Sequence, residues 1–375
     1  MNPITILFLK QRRLNIGVST YQNILLRIFM ENPNFKLIVI DDRHMYGNIF
    51  LNHIYEFMQS IRFIHILFEY MSFFFQVVKL KKKADFLFIT HHFKYGLFAV
   101  LMSSLFKIPF IVPILGWAEM EYKLSGISKI ESFIRLKYEF LVLKEAKCIL
   151  SSYDLIREYS RVVKNKNKFL GFYTLIDTDR FTPMQKSTIL SDKLGVGNKK
   201  VIFTAAPLWG VKGEGIKMLL NAFTHITNGY NNVILLIAGD GRERKELEDL
   251  AKNLGVKKDV IFLGYCSNMP ELMNLADVFA LIFSFGGGLG FALLEAMACG
   301  KPCVVSRTSG TKILKDGEEV LLASLDPKDI ADKIILLLKD EEYARQLGIN
   351  ARRRIEKDFS LGIAGEKLFN KLTML

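Results

Sequence analysis

Short apolar runs typical of buried β-strands alternate with helical patterns along almost the whole chain. This alternation is the pattern of parallel sheets whose strands are joined by crossover helices. The first half contains the runs Ile4–Leu9, Leu37–Ile40, Phe86–Thr90, Phe110–Ile114 and Cys148–Ser151. The second half contains Val201–Ala205, Val233–Gly239, Val260–Leu263, Val278–Phe283, Cys303–Ser306 and Val320–Ala323. The chain is therefore predicted to be an α/β protein with two series of parallel strands.

The two series are separated by Asp177–Pro183, which reads DTDRFTP, and by the polar stretch Met184–Lys200. A chain of 375 residues is long enough to form two hydrophobic cores. We therefore predict two Rossmann-like, doubly wound domains, residues 1–182 and residues 183–357. Ligands of such sheets bind outside the carboxyl ends of the strands, so two sheets that face each other are expected to share one central cleft.

The chain is basic, with 51 Lys and Arg residues against 38 Asp and Glu residues and a net charge of +13. Such an excess suits an anionic partner, which is a nucleotide, an acidic lipid or a nucleic acid. Nucleic acid is the weakest of the three, because the sequence contains no RNP, zinc-finger or helix-turn-helix signature. We predict an anionic small molecule or lipid as partner and no nucleic acid.

The four cysteines form no CxxC pair and lie in strand or helix patterns, which predicts buried free thiols in a reducing compartment and no metal site. The opening ITILFL is followed, not preceded, by basic residues and predicts a first strand instead of a signal peptide. The apolar stretch Leu97–Gly116 is interrupted by Lys107, Pro109 and Pro113, so it predicts a buried helix and a buried strand instead of a transmembrane span. The sequence predicts a cytoplasmic protein.

A glycine-rich turn in the second half has the pattern of a ligand site. It follows the run Val278–Phe283 with Gly286, Gly287, Gly288 and Gly290, and a helical pattern with a single carboxylate, Glu295, comes next. Glycines let a ligand approach the backbone, and a helix start offers free N–H groups to an anion. A lone carboxylate in such a helix can accept hydrogen bonds from sugar or ribose hydroxyls. The other interpretation is an ordinary strand-to-helix turn with a solvated Glu295.

Three further loops follow predicted strands of the second half. After Val201–Ala205, Lys212 lies among Gly210, Gly213 and Gly215 at the mouth of a helix, where an ammonium can meet a diphosphate; a solvated loop lysine is the alternative. The run Val233–Gly239 leads into Asp240 and Gly241, a tight turn at the carboxyl end of a strand. The sequence FLGY then ends the third strand, at Tyr265. Neither glycine loop completes a P-loop or a GxGxxG motif.

In this order and spacing, the motifs resemble those of the retaining glycosyltransferase family 4, which has the GT-B fold. The matching segments are Lys212–Gly213, Gly239–Gly241, Phe262–Gly264, Leu294–Pro302 and Asp316–Gly317. The resemblance implies two Rossmann-like domains that face a central cleft, with a terminal helix, residues 358–375, that packs back on the first domain. It implies transfer of a sugar from a nucleotide diphosphate donor to a hydroxyl of a lipid-linked or saccharide acceptor, with retention of configuration.

The resemblance also implies roles for particular residues. Glu295 matches a glutamate that binds ribose hydroxyls, and Lys212 matches a lysine that faces the donor diphosphate. The remaining donor-binding positions that it implies are Gly17, Gly213, Gly239, Gly241, Tyr265, Cys266, Gly288, Leu289 and Gly290. No cofactor and no metal are implied, because the nucleotide sugar, a UDP- or GDP-sugar, is a co-substrate.

The chain departs from the family pattern at three places. Gly287 stands where the family has its first glutamate, which faces the donor sugar. Ala205–Trp209 contains no cation where the family has an arginine, and Leu115–Gly116 stands where His-Gly is common. Arg12 or Arg13 is our hypothesis for a substitute arginine, and two solvated loop arginines are the alternative. The departures leave open a catalytically degenerate, nucleotide- or glycan-binding scaffold subunit as the second function.

The stretch His53–Lys83 is aromatic and ends in the lysine cluster Lys79, Lys81, Lys82 and Lys83. Its apolar residues recur at helical spacing. Aromatic residues beside lysines are typical of docking on an anionic lipid surface. A buried pair of helices with a solvated end is the alternative interpretation. With the first interpretation, the protein is peripheral at the inner face of the cell membrane.

Overall fold

The computed structural model of the protein describes residues 3–9, 26–40, 62–89, 92–114, 128–151, 156, 159–171, 175–283, 289–308 and 310–374. The chain divides into two compact units. Unit 1 comprises Met1–Tyr173 and Ala364–Leu375, and unit 2 comprises Thr174–Ile363. The sequence had suggested boundaries after residues 182 and 357.

Unit 1 contains a parallel sheet of six strands in the order β2-β1-β3-β4-β5-β6. The strands are β1 (Ile4–Leu9), β2 (Phe35–Ile40), β3 (Phe86–Ile89), β4 (Phe110–Ile114), β5 (Cys148–Ser151) and β6 (Phe169–Gly171). Five of these strands were predicted from the apolar runs, and the short β6 was not. Of the interior strands, β3, β4 and β5 are buried along their whole length, as strands covered on both faces must be.

Three long helices join these strands: α1 (Arg62–Leu80), α2 (His92–Phe106) and α3 (Lys129–Glu145). Residues 26–31 are also helical, and one-turn 3₁₀ helices cover Lys81–Lys83 and Lys166–Lys168. The core contains a stacked pair of rings, Phe8 and Phe88, with centroids 5.0 Å apart. The prediction of a buried helix after Leu97 is wrong in part, since Leu97, Leu101 and Leu105 of α2 are exposed, whereas β4 is buried as predicted.

Unit 2 contains a second parallel sheet of six strands in the order β12-β11-β10-β7-β8-β9. The strands are β7 (Lys200–Ala205), β8 (Val233–Ala238), β9 (Val260–Gly264), β10 (Val278–Leu281), β11 (Cys303–Ser306) and β12 (Leu321–Ala323). Every one of them overlaps a predicted run. Two parallel sheets with joining helices confirm the doubly wound α/β class predicted from the sequence.

The helices of unit 2 are α4 (Thr188–Leu194), α5 (Gly210–Gly229), α6 (Arg244–Asn253), α7 (Met269–Leu275), α8 (Phe291–Ala298), α9 (Pro327–Lys339) and α10 (Glu341–Asp358). Short 3₁₀ helices cover Lys257–Asp259 and Gly310–Ile313. Side-chain caps start several of these helices: Ser187 accepts from the N–H of Leu190, and Asp326 accepts from that of Lys328.

The order of strands in unit 2 places a switch point beside β7. The chain moves from β7 to β8 and β9 on one side, and the later strands β10, β11 and β12 lie on the other side. In open α/β sheets, ligands bind in the crevice outside the carboxyl ends of the strands at such a point. The loops that follow β7 and β10 are therefore the places to look for a site in this unit.

The last helix, α11 (Leu361–Thr373), belongs to unit 1 from Ala364 onward. The ring of Phe369 lies 5.8 Å from that of Phe35, and the ammonium of Lys371 donates to the carbonyl of Asn167 at 2.5 Å. Among the described residues, no helix is both long enough and apolar enough to cross a membrane.

Candidate functional site

The loop after β7 and the loop after β8 are packed backbone to backbone. The N–H of Leu208 donates to the carbonyl of Asp240 at 3.0 Å. A Cβ at Gly239, whose φ is +130°, would lie 1.9 Å from the carbonyl oxygen of Ala206, and a Cβ at Gly241 would lie 2.5 Å from that of Leu208. Only glycine fits at both positions, so Gly239 and Gly241 fix the mutual position of the two loops.

The carboxylate of Glu243 lies at the start of α5. Its Oε1 accepts a hydrogen bond from the N–H of Gly210 at 2.8 Å. Its Oε2 is buried and has no hydrogen-bond partner among the described residues. A Cβ at Gly213 would lie 2.1 Å from Oε2. One N–H group at this helix start therefore already donates to a negatively charged carboxylate. That N–H group is not free to bind an anionic ligand.

Lys212 lies in the first turn of α5 and forms no ion pair with Glu243. The side chain is exposed, and no hydrogen bond or ion pair joins its ammonium to any described residue. The surrounding protein desolvates the ammonium, which lowers the pKa of Lys212. A lysine without a counterion at a glycine-rich helix start is suited to an anion such as a diphosphate.

The first turns of α5 are packed against the end of β10. A Cβ at Gly215 would lie 1.7 Å from the carbonyl oxygen of Ile282. The hydroxyl of Ser306, on the neighbouring strand β11, accepts from the N–H of Phe283 at 3.0 Å and donates to its carbonyl at 2.8 Å. The chain is thus held firmly where it enters the glycine-rich turn. Gly286, Gly287 and Gly288 lie outside the described residues, and the predictions for Gly287 and Gly288 stay predictions.

Helix α8 begins after Gly290 and carries Glu295. Gly290 has a φ of +71° and is exposed, whereas Leu289 before it is buried and packs into the unit. Leu289 is thus anchored in the unit, and Gly290 is the accessible residue before the helix.

Glu295 is half-buried, and no hydrogen bond or ion pair joins its carboxyl group to any described residue. Burial raises the pKa of Glu295 to about 7, and the positive charge of Arg180 opposes this effect. The interpretation of Glu295 as a fully solvated side chain does not fit this environment. A half-buried carboxyl group without a hydrogen-bond partner is suited to accept hydrogen bonds from a ligand.

Arg180 was not singled out from the sequence. It lies in the turn that begins at Asp177, whose Oδ1 accepts from the N–H groups of Asp179 at 3.2 Å and Arg180 at 3.1 Å. These hydrogen bonds to Asp177 fix the turn that carries Arg180, whose positive charge acts on Glu295. The signal in the sequence was the DTDRFTP segment, which we had assigned only to the domain border.

The guanidinium of Arg352, on α10, ties this turn to the helix of Glu295. It donates to the carbonyl of Thr178 at 3.2 Å and to those of Phe181 and Ala298 at 2.6 Å each. Ala298 is the last residue of α8. Arg352 therefore positions the Arg180 turn relative to α8 through three backbone carbonyls.

Tyr265 and Cys266 follow β9, as predicted. Tyr265 is exposed, and Gly264 before it has a φ of +69° and accepts from the N–H of Gly239 at 2.7 Å. Cys266 is half-buried, and burial raises the pKa of its thiol. The β9 loop therefore adjoins the loop of Gly239, and the Tyr265 ring is free to contact a planar group.

Thr311, in the loop after β11, has an internal role. It is fully buried, and its Oγ1 donates to the carbonyl of Ser306 at 3.0 Å and accepts from the N–H of Thr308 at 2.8 Å. The side chain of Thr311 thus holds the loop together through hydrogen bonds to the backbone of the loop. Of the predicted positions in the first half, Arg12, Arg13 and Gly17 lie outside the described residues.

Residues 187–354 match the family model described as Glycosyl transferases group 1, and the match lies wholly within unit 2. The N-acetyl-alpha-D-glucosaminyl L-malate synthase of Bacillus anthracis is 33% identical over 211 residues, which cover 56% of this chain and 54% of that protein. The UDP-Gal:alpha-D-GlcNAc-diphosphoundecaprenol alpha-1,3-galactosyltransferase of Escherichia coli is 25% identical over 297 residues, which cover 75% of this chain and 73% of that protein. For several of the curated relatives, the matched region spans about half of the relative's length.

Solved structures resemble the whole chain in fold. Anabaena HepE, solved in complex with UDP and glucose, has a TM-score of 0.75 at 19% identity, and the match covers 99% of this chain and 100% of that chain. WaaG, a glycosyltransferase involved in lipopolysaccharide biosynthesis, has a TM-score of 0.66 at 16% identity, and the match covers 98% and 99%. The fold of this chain is the GT-B fold of these proteins, and unit 2 is similar to a group 1 glycosyltransferase domain.

Proposed function

We propose that unit 2 binds a nucleoside diphosphate-sugar at the carboxyl ends of β7 and β10, and that the protein is a retaining glycosyltransferase. The observation that carries the proposal is a pair of groups without partners in the described part of the chain. Lys212 follows β7 and offers an ammonium, and Glu295 follows β10 and offers a half-buried carboxyl. The two strands are neighbours at the switch point of the sheet.

The two groups have complementary tasks toward such a donor. The ammonium of Lys212 binds the diphosphate, which is negatively charged both in the donor and as the leaving group. The carboxylate of Glu295 accepts hydrogen bonds from vicinal hydroxyls of the ribose. The exposed Tyr265 and the adjoining backbone of the β9 loop border the base, and Gly290 at the start of α8 leaves room for the phosphates. UDP or GDP is the nucleotide that we propose.

In the proposed reaction, Lys212 and Glu295 position the donor, and Lys212 stabilises the charge of the leaving group. The bond between the sugar and the diphosphate breaks while an acceptor hydroxyl attacks, and the departing diphosphate takes the negative charge. Lys212 stabilises that charge in the transition state. Lys212 and Glu295 therefore act on the donor, and proton removal from the acceptor falls to the leaving diphosphate.

We propose a hydroxyl of a lipid-linked or saccharide acceptor. Support comes from the name of the Escherichia coli relative, which acts on a diphosphoundecaprenol-linked sugar, and from that of a Mycolicibacterium smegmatis relative, which acts on a phosphatidylinositol monomannoside. A cytoplasmic location belongs to the same proposal. The free thiols Cys148, Cys266, Cys299 and Cys303 support it, because such thiols persist in reducing compartments.

The test is release of the nucleoside diphosphate from a panel of UDP- and GDP-sugars, with and without sugar or polyprenyl-diphosphate-sugar acceptors. We expect turnover with at least one donor, and Lys212→Met and Glu295→Gln to lower it at least tenfold. Lys258→Met, at an exposed lysine elsewhere in unit 2, is the matched control and is expected to keep full activity. Absence of turnover with every donor contradicts a transferase.

The second candidate is a binding subunit without catalytic activity. Glu243 favours it, since a carboxylate occupies the start of α5 where a donor phosphate would otherwise find a free N–H. Gly287 favours it too, because that position lacks the carboxylate expected to face the sugar. Donor binding in the absence of any hydrolysis or transfer distinguishes this candidate from the enzyme.

A further inference from the structure

The three long helices of unit 1 lie side by side on one face of its sheet. The rings of Tyr70 on α1 and Phe98 on α2 are 6.0 Å apart. The N–H of Leu97 on α2 donates to the hydroxyl of Tyr138 on α3 at 3.2 Å. Right-handed crossovers from β2 through to β5 place these helices on the same face, because all of them move in the same direction along the sheet.

The side of these helices that points away from the sheet carries many large apolar side chains, with the exposed Lys137 of α3 among them. Nine large apolar side chains on it are between 43% and 75% exposed. They are Met71 and Phe75 on α1, Leu97, Leu101 and Leu105 on α2, and Ile130, Phe133, Ile134 and Leu141 on α3. We call this set the outer helix face. The buried residues of the same helices, such as Phe73, Ala99 and Val142, occupy the opposite side and pack toward the sheet.

The spacing on α3 shows that the exposure is systematic. Ile130, Phe133, Ile134 and Leu141 follow the i, i+3, i+4, i+11 pattern of one helical stripe, whose i+7 position is the exposed Lys137, 5.4 Å from the ring centroid of Phe133. Such a stripe normally faces a core, but here it faces outward. An exposed apolar surface of this extent marks an interaction site.

Charge decides which partner fits this surface. Unit 1 contains 26 Lys and Arg residues against 14 Asp and Glu residues, whereas unit 2 contains 25 against 24. Unit 1 therefore carries +12 of the net charge of +13. The basic character of the chain belongs almost entirely to the unit that has the outer helix face.

Exposed lysines gather where α1 and α2 end. Lys79, Lys82, Lys83 and Lys107 are exposed, and we call these four residues the lysine end. The ammonium of Lys81 lies 4.4 Å from the ring centroid of Phe106, the last residue of α2, which shows that the two helix ends are adjacent. The lysine end therefore borders the apolar side chains Phe75 and Leu105 of the outer helix face.

We propose that the outer helix face and the lysine end together dock on the surface of an anionic lipid bilayer. The apolar side chains enter the boundary between headgroups and acyl chains, and the ammonium groups contact lipid phosphates. A second copy of the chain fits less well, because it would bring a unit of the same net charge against this one. The proposal does not depend on sugar transfer.

The sequence left two interpretations of His53–Lys83 open, docking on lipid and a buried pair of helices with a solvated end. Within α1, Phe73 and Val77 are fully buried, so that side of the helix fits the second interpretation. Only Met71 and Phe75 of the described aromatic and apolar side chains in α1 are exposed to this degree. Most of the apolar surface comes from α2 and α3 instead.

The test is flotation of the full chain, without nucleotide or acceptor, on phosphatidylcholine vesicles with and without phosphatidylglycerol. We expect binding to the anionic vesicles only, and weaker binding at high salt. The variant Lys82→Gln/Lys83→Gln/Lys107→Gln is expected to bind on the order of a hundredfold more weakly. Leu101→Gln/Phe133→Gln is expected to weaken binding by a factor of about ten or more.

Matched controls come from unit 2. Lys245→Gln/Lys252→Gln/Lys258→Gln removes three exposed lysines, and Ile189→Gln/Leu336→Gln removes two exposed apolar side chains. Both are expected to bind vesicles as the parent chain does, and circular dichroism shows that each variant is folded. Equal binding to neutral and anionic vesicles, no binding to either, or equal weakening by the unit 2 controls overturns the proposal. It is also overturned if Leu101→Gln/Phe133→Gln dissolves a dimer in sedimentation experiments and leaves vesicle binding unchanged.

Discussion

The carboxylate of Glu243 accepts a hydrogen bond from the backbone N–H of Gly210, the first residue of α5, at 2.8 Å. The residue that caps the helix start is thus negatively charged and lies in the loop that follows Gly241. In the proposed complex, this charge lies close to the donor diphosphate and repels it. Lys212 must then supply the attraction that the helix start alone does not.

Replacement of this charge is expected to strengthen nucleotide binding. Glu243→Gln keeps an oxygen acceptor for the N–H of Gly210 and removes the negative charge, so we expect UDP or GDP to bind about two- to fivefold more tightly. Calorimetric titration measures the change, with Glu271→Gln on α7 as the control. Weaker binding by Glu243→Gln would show instead that the carboxylate contacts the ligand.

Substitutions at Gly213 and Glu243 are expected to be energetically coupled. A Cβ at Gly213 would lie 2.1 Å from the buried Oε2, so Gly213→Ala must displace the carboxylate; this costs about 0.5–1.5 kcal/mol, the loss of the hydrogen bond from the N–H of Gly210. The same substitution in a Glu243→Ala background is expected to cost much less, because the obstacle is gone. Urea unfolding of the four proteins measures the coupling, and additive effects would contradict the geometry.

The pKa of Glu295 makes stability depend on pH in a defined direction. The folded-state pKa of about 7 is above the model value of 4.5, so the folded chain retains a proton that the unfolded chain releases between these values. The ionised carboxylate therefore destabilises the fold at pH 8, and this cost disappears as the pH falls below about 4.5. Glu295→Gln is expected to stabilise the protein more at pH 8 than at pH 5. Thermal unfolding at both pH values tests this, and an equal effect at both contradicts it.

The same group is expected to make donor affinity rise with pH. Hydrogen bonds from ribose hydroxyls favour the ionised carboxylate, and with a pKa of about 7 the ionised fraction falls about tenfold between pH 8 and pH 6. The affinity for the best UDP- or GDP-sugar should fall by up to this factor. In Glu295→Gln the dependence should vanish, and an unchanged pH profile in that variant would assign it to another group.

Arg352 is expected to contribute to stability through the turn that carries Arg180. Arg352→Met leaves three carbonyl groups without the guanidinium and is expected to cost about 2–4 kcal/mol. Arg353→Met, at the adjacent exposed position, is the control and is expected to change stability by less than about 0.5 kcal/mol. Chemical denaturation measures both, and similar effects of the two substitutions would contradict the assigned role.

The sequence patterns predicted the sheets well because buried parallel strands are continuous apolar runs. The exception is β6, whose three residues Phe169–Gly171 follow a 3₁₀ turn of lysines and are too few for a recognisable run. The outward stripe of α2 was also misjudged. Its leucines read as core residues, since an apolar periodicity does not say whether the apolar side faces a sheet or the solvent.

The candidate site was predictable where local pattern defines it. Lys212 and Glu295 stand in glycine-rich strand-to-helix turns that can be recognised along the chain. Glu243 and Arg352 were missed because their partners are distant in sequence: Glu243 bonds a residue 33 positions away, and Arg352 bonds Phe181 across 171 positions. Such contacts arise only when the folded chain brings residues that are distant in sequence together.

Calorimetric titration of the full chain with UDP- and GDP-sugars tests the central claim most directly, since it measures donor binding by Lys212 and Glu295 whether or not transfer follows. The account predicts that at least one of these sugars binds in a one-to-one complex. It also predicts that Lys212→Met weakens binding about tenfold or more, the effect of losing a charge-assisted hydrogen bond, while Lys258→Met leaves it unchanged. Absence of binding by every nucleotide sugar, or binding that neither Lys212→Met nor Glu295→Gln weakens, would contradict the claim.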